Sequence, residues 1–484
     1  MLFLDGKWID GAGEKFSSWN PATGEVFWTG RSASEREVEA AIRSAHRAGL
    51  DWALQPLSER AEILRKFRDL LQQEKENLAR VITREVGKVL WDSATEVQAM
   101  IGKIDLSLKF FQQRRTKQEI ELSSGKGVTR YKPHGVLAVY GPFNFPGHIA
   151  NGQIVPALAA GNAVLFKPSE LSPGVAEATV QLWERAGLPP GVLNLLQGGK
   201  EVGAALAQHP DVNGILFTGS LKTGLALRKA VVEQPEKILV LELGGNNPLV
   251  IHRPEHVDAA VYWTIQSAFV TGGQRCTCAR RLIVTAGNET FLERLEQGVR
   301  NLRIDHPERS PQPFFGPLIS PRAVDHVLWE QQRLVDSGAR VIVESKRLAH
   351  GPAYVSPGLL DVTTCQIFSD QEVFGPLLQI QHVPDLASAI DAANQTRYGL
   401  ASALLTQDRR DFEMFYKQTK AGLINWNRPT TGASGELPFG GTGWSGNHRP
   451  AGSFAVDFCN IPIASLESSS LRLPAEPSPG VSLP

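Results

Sequence analysis

The chain has 484 residues, with 42% hydrophobic and 21% charged side chains. That is roughly three domains' worth of chain, with ample core material, and it excludes a disordered or fibrous protein. Fifty basic residues balance fifty acidic ones at a formal net charge of zero, leaving no basic footprint for nucleic acid or an anionic membrane.

The four cysteines, at 276, 278, 365 and 459, are too sparse for a disulfide scaffold and predict a reduced, cytoplasmic chain. The start MLFLDGKWIDG lacks a signal-peptide pattern. The longest uncharged run, near 133–166, is broken by glycines and prolines and predicts no membrane-spanning helix. Ser34 and Glu37 form a capping-box pattern that opens a helix, with Gly49 as its stop. From Ser58, residues Ile63, Leu64, Phe67, Leu70 and Leu71 share one helical face, and a third helical pattern covers about 93–115. This first part reads as mainly helical and surface-charged.

From 135 the texture changes. Short β-prone runs at 136–140, 163–167, 192–196, 214–218 and 238–242 alternate with helical stretches. The pattern predicts βαβ units and a doubly wound parallel sheet, with ligands at the carboxyl ends of its strands. A second αβ region spans about 245–447, with runs at 281–285, 340–344 and 377–383. The Ser- and Pro-rich end, 465–484, reads as a poorly ordered tail.

The strand ends carry the chemistry. Gly219, Ser220, Leu221, Lys222, Thr223 and Gly224 open a helix whose free amides suit a phosphate, although an ordinary N-capped turn has the same pattern. The G-x-G-x-x-G match at 441–446 has no helix after it and is set aside. Lys167 and Glu170 can grip ribose hydroxyls, and the carboxylate would repel a 2′-phosphate, favouring NAD over NADP; a solvated turn is the other reading.

Glu242 lies between Leu241 and Leu243, where ionisation is costly and the pKa rises, as suits a general base or a buried ion pair. Cys276 lies among small polar residues beside Arg275, a setting expected to favour thiolate, though many cysteines are simply core residues. With Cys278 it forms only C-x-C, without a second pair or H-E-x-x-H, so no metal site is expected. Asn144, in GPFNFPGH, is a rigid amide suited to an oxyanion or to capping a turn.

The motifs PFNFP, KPSE, FTGS, LELGG, GQRC, EVFGP and PFGG occur in this order and together closely resemble the aldehyde dehydrogenase superfamily. The resemblance implies an α/β fold with three parts. A doubly wound NAD-binding domain would cover 1–115 and 132–243, and a second α/β catalytic domain 244–447. A small β oligomerisation extension would comprise 116–131 and 448–464, its second strand around 453–464. It further implies that Cys276 attacks an aldehyde, that the Asn144 amide and the Cys276 backbone amide hold the oxyanion, and that Glu242 activates the hydrolytic water. Lys167, Glu170 and the 219–224 turn would hold NAD, and Glu372 with Phe374 would position its nicotinamide ribose. Homodimers or homotetramers are implied.

Within the superfamily, the 425–450 stretch resembles the branch acting on N-succinylglutamate 5-semialdehyde in arginine catabolism; Ile149, Ala150 and Gln153 depart from that branch's usual Leu-Pro and His. A small anionic aldehyde needs local positive charge or free amides. Arg275, Arg428 and the loop residues Thr431, Gly432, Ala433 and Ser434 are the candidates, a plain surface arginine being the other reading of Arg428. The alternatives are a glutamate 5-semialdehyde (pyrroline-5-carboxylate) dehydrogenase, an acylating member, and a non-catalytic protein of the same fold. Retention of Cys276 and Glu242 speaks against the last two.

Overall fold

The computed structural model of the protein describes residues 1–122, 125–365, 370–473 and 478–483. Its first seven-stranded sheet runs Ile238–Glu242, Gly214–Thr218, Val136–Tyr140, Ala163–Lys167 and Leu193–Leu195 in parallel order, then Leu2–Leu4 and Lys7–Ile9 antiparallel at the edge. Alternating side chains feed two cores, as a pleated strand requires. Leu137 and Val139 pack with the helices Leu57–Gln73, Leu90–Arg114 and His148–Ala159, while Val136 and Ala138 pack with Glu35–Leu54 and Lys200–Gln208. The parallel registers align Glu242 with Thr218, and Phe217 and Lys167 with Tyr140, at one end of the sheet.

The second seven-stranded sheet is ordered Arg340–Val343, Gly358–Asp361, Leu377–Val383, Ala279–Thr285, Asn247–Ile251, Ala401–Leu405 and Leu423–Trp426, and only the first strand is antiparallel. A three-stranded antiparallel sheet joins Gln118–Leu122, Gly125–Pro133 and Asn460–Glu467. Ile120, Leu122 and Leu466 are exposed on it. No helix among the described residues is long and apolar enough to cross a membrane.

Several expectations are corrected. The capping box at Ser34 and Glu37 is present, but the helix passes through Gly49 to Leu54. Gly49 serves close packing instead: a Cβ there would lie 3.3 Å from Ala163 Cβ. Trp52 beyond it is buried and donates to the Leu158 carbonyl at 3.0 Å. The late strand is Asn460–Glu467, paired along its whole length with 126–133, so ordered structure continues past 465. Residues 474–477 and 484 of the expected tail lie outside the described residues. The early chain also contributes strands and an unanticipated helix, Lys75–Val86, and its fourth helix, Leu90–Arg114, carries buried Asp92, Glu96 and Lys103 on a face read as surface-charged.

Candidate active site

The loop preceding the Ala279–Thr285 strand carries Cys276. Thr271, Gly272 and Gly273 adopt positive φ there, and a Cβ at Gly273 would lie 2.2 Å from the Gly375 carbonyl oxygen, so only glycine permits this approach. The buried Arg280 donates to the carbonyls of Gly273 at 2.6 Å and Arg275 at 3.0 Å. Asn247 Nδ2 donates to those of Cys276 at 2.7 Å and Cys278 at 2.9 Å. These bonds hold the loop rigid from two sides.

Glu242 ends its strand facing this loop. The 445–447 segment lies against it as an added antiparallel partner, with Leu243 N–H donating to the Ser445 carbonyl at 3.0 Å and Leu241 N–H to Asn447 Oδ1 at 2.9 Å. The Cys276 Sγ–H donates to Glu242 Oε1 at 3.6 Å, and the Thr218 hydroxyl donates to Oε2 at 3.1 Å. Gln153 Nε2 in turn donates to Thr218 Oγ1 at 3.1 Å. Burial pushes the Glu242 carboxyl up to about 7, as its apolar neighbours predict.

Arg275 was expected to favour a Cys276 thiolate. Instead burial, and after it the Glu242 charge, push the thiol well above its ordinary value. The guanidinium is committed elsewhere, to Asp92 Oδ1 and Thr271 Oγ1, both at 2.8 Å. Lys88 bonds Glu96 at 2.6 Å and sits 3.9 Å from Asp92. Glu96 also accepts from the Gly147 and His148 amides. Two cations and two carboxylates thus close a buried, balanced network beside the Cys276 loop.

Asn144 is buried, and its Nδ2 donates to the Gln274 carbonyl at 2.9 Å. This holds the amide against the nucleophile loop. Among the described residues the Cys276 backbone N–H has no hydrogen-bond partner.

A cavity of about 300 Å³ opens onto Cys276 and Glu242, and Arg275, Lys103, His148 and Gln153 contribute to its walls. Thr431, Ala433, Ser434 and Gly435 line another part. Of the anticipated substrate residues, Gly432 and Arg428 are not on this wall. Asn425 Nδ2 holds the Pro429 and Gly432 carbonyls at 2.7 and 3.1 Å, and Gly432 N–H turns back to Pro429. Arg428 is exposed and lies over the Trp263 ring at 5.7 Å.

At the carboxyl end of the Gly214–Thr218 strand, Ser220 caps the helix Leu221–Ala230 by accepting from Thr223 N–H, and Gly219, Leu221 and Lys222 line that turn. Gly224 is buried against Leu243. Lys167 is buried at its strand end, donates to the Pro168 carbonyl at 2.9 Å and lies 4.0 Å from exposed Glu170. Glu372 lies against Gly244 and 3.5 Å from Arg280, and Phe374 packs edge-on to Phe143.

Sequence reasoning missed Lys103, His148, Thr218, Asp92, Asn247 and Arg280, and met Gln153 only as a departure from a pattern. One usable signal was Lys103 inside the apolar run AMIGKI. Among the described residues no His, Cys, Asp and Glu cluster could hold a metal ion.

The pattern of the aldehyde dehydrogenase family matches residues 8–461. N-succinylglutamate 5-semialdehyde dehydrogenase of Chromobacterium violaceum is 49% identical over 484 residues, covering 100% of this chain and 99% of that protein. That of Acinetobacter baylyi is 48% identical with the same coverage. Among solved structures, 1-pyrroline-5-carboxylate dehydrogenase from Thermus with bound NAD superposes with a TM-score of 0.91 at 31% identity, covering 96% of this chain and 92% of that one. Betaine aldehyde dehydrogenase from Staphylococcus aureus in complex with NAD+ gives a TM-score of 0.92 at 25% identity, over 98% and 95%. With its cysteine and carboxylate facing each other at the mouth of one cavity, and with this match along nearly its whole length, the chain belongs to the aldehyde dehydrogenase family.

Proposed function

We propose that the chain oxidises N-succinylglutamate 5-semialdehyde to N-succinylglutamate with NAD, in arginine catabolism, as a cytoplasmic homo-oligomer. The observation that carries the chemistry is the 3.6 Å contact between Cys276 Sγ and Glu242 Oε1 beside the cavity. The names of the relatives at 48–49% identity support the substrate.

The residues at the nucleotide end suit NAD. The Ser220-capped helix start offers amides to a pyrophosphate, and Lys167 has only a carbonyl as hydrogen-bond partner. Glu372 Oε1 is buried 3.5 Å from the Arg280 guanidinium and keeps acceptor capacity for a ribose hydroxyl. Glu170 beside Lys167 disfavours a 2′-phosphate. When bound, NAD would accept the aldehyde hydrogen as hydride.

Cys276 passes its proton to Glu242 and attacks the aldehyde carbon, forming a thiohemiacetal. The Asn144 amide and the Cys276 N–H hold its oxyanion. After oxidation to the thioester, Glu242 releases the thiol proton to solvent and, ionised again, takes a proton from water; hydroxide adds to the carbonyl, and the Cys276 thiolate leaves. The exposed apolar residues Ile120, Leu122 and Leu466 of the three-stranded sheet supply surface for subunit contacts.

The test is kcat/KM with NAD for N-succinylglutamate 5-semialdehyde against glutamate 5-semialdehyde. A large advantage for the succinylated aldehyde supports the assignment. Equal or reversed values would refute it and favour a glutamate 5-semialdehyde dehydrogenase.

A further inference from the structure

Lys103 is out of keeping with its surroundings. It lies within the Leu90–Arg114 helix, is 5% exposed, and shares one helical face with Thr95 and Ala99 along the cavity wall. Its ammonium makes one hydrogen bond, to the Gly452 carbonyl at 3.0 Å, and no ion pair among the described residues. A buried ammonium without a carboxylate is costly, and burial lowers its pKa to about 8.

The surroundings do not compensate it. The carboxylates of Glu96 and Asp92 are taken up by Lys88, Arg275 and backbone amides. The nearby Cys459 thiol is held protonated by burial. His148, on the same wall, is pushed down to about 4 by burial and then by Lys103 and Lys88, so it is neutral, and its Nδ1 is buried without a partner. One uncompensated cation and one open imidazole nitrogen therefore share the cavity that reaches Cys276. Arg428 and Arg275, the arginines expected for this task, are respectively outside the cavity and already paired.

We propose that Lys103 is a specificity-determining residue that binds a carboxylate of the substrate, with His148 beside it, while the loop 431–435 receives the rest of the anionic chain. The choice of aldehyde rests on the reading given under Proposed function. A doubly anionic substrate then replaces the missing counter-charge inside the cavity, and a neutral aldehyde leaves Lys103 desolvated and unpaired. A charge-assisted hydrogen bond formed in a desolvated site is among the stronger single contacts available for such selection.

The experiment measures kcat/KM for N-succinylglutamate 5-semialdehyde, glutamate 5-semialdehyde and butanal in the wild type and in Lys103→Met and Lys103→Arg. Dissociation constants for the product N-succinylglutamate provide a readout independent of turnover. Lys103→Met leaves an unbranched side chain one heavy atom shorter and removes the buried charge. The expected result is at least a tenfold fall in the ratio of succinylated aldehyde to butanal, carried mainly by KM, with product binding weakened similarly and Lys103→Arg retaining most of both.

A ratio and a product affinity unchanged within twofold in Lys103→Met would overturn the assignment. A wild type that prefers glutamate 5-semialdehyde, with Lys103→Met abolishing that preference, would keep the carboxylate role and refute the succinylated substrate. A wild type with no preference for either anionic aldehyde over butanal would overturn both.

Discussion

Replacing Thr218 by valine removes the hydrogen bond it gives to Glu242 and the one it accepts from Gln153. The two side chains have similar shape, and Thr218 is buried between Gln153 and the carboxylate. Its hydroxyl favours the ionised form of Glu242, opposing the burial that lifts the carboxyl to about 7. A hydrogen bond to a charged group contributes about 1.5–3 kcal/mol, and 1.36 kcal/mol is one pKa unit, so Thr218→Val raises the carboxyl by about 1–2 units.

In the proposed mechanism Glu242 serves as base only when ionised, so activity limited by deacylation falls as pH drops through its pKa. The variant's rate at pH 7 is then roughly 5- to 50-fold below wild type, while the two converge above about pH 9. The groups facing Glu242 are Cys276 and Thr218, and Glu372 adds charge near the thiol. The observed midpoint belongs to this coupled pair. The assay is kcat against pH from 5.5 to 10, with the release of NADH followed by absorbance. Superimposable profiles, or a uniform loss without a shifted midpoint, would refute the reasoning.

Two further outcomes follow from the same geometry. Asp92→Asn leaves Lys88 and Arg275 facing Glu96 alone inside the protein, and breaking such a buried network costs about 3–5 kcal/mol, visible as a marked drop in the thermal unfolding midpoint. A shift of less than a degree would contradict the pairing described. Asn144→Ala removes the amide proposed to hold the oxyanion and is expected to lower kcat by about 10²–10³-fold with a much smaller change in KM, measured by steady-state kinetics. A loss under threefold would show that the amide only braces the Gln274 loop.

What the sequence disclosed was local. The runs 136–140, 163–167, 214–218 and 238–242 coincide with strands because buried parallel strands are nearly continuous apolar segments. The raised pKa of Glu242 followed from its leucine neighbours. What the sequence concealed depends on contacts across long separations. Asp92 and Arg275 meet across 183 residues, so Arg275 looked free to activate Cys276 when it is occupied by a partner on another element. Lys103 looked like part of a solvated helix because helical periodicity cannot say which neighbour covers a face. Arg428 was a candidate carboxylate partner by residue type alone, and only the folded loop shows it exposed over the Trp263 ring.

The division of labour between Cys276 and Glu242 is tested most directly by trapping the acyl-enzyme. Glu242→Gln, mixed with NAD and N-succinylglutamate 5-semialdehyde and quenched with acid, is examined by mass spectrometry of the peptide containing Cys276. The expected result is one equivalent of NADH, released more slowly than in the wild type because Cys276 has lost its proton acceptor, with a matching acyl adduct on Cys276 that decays more slowly still. Full turnover without an accumulated adduct, or an adduct on another residue, would contradict it.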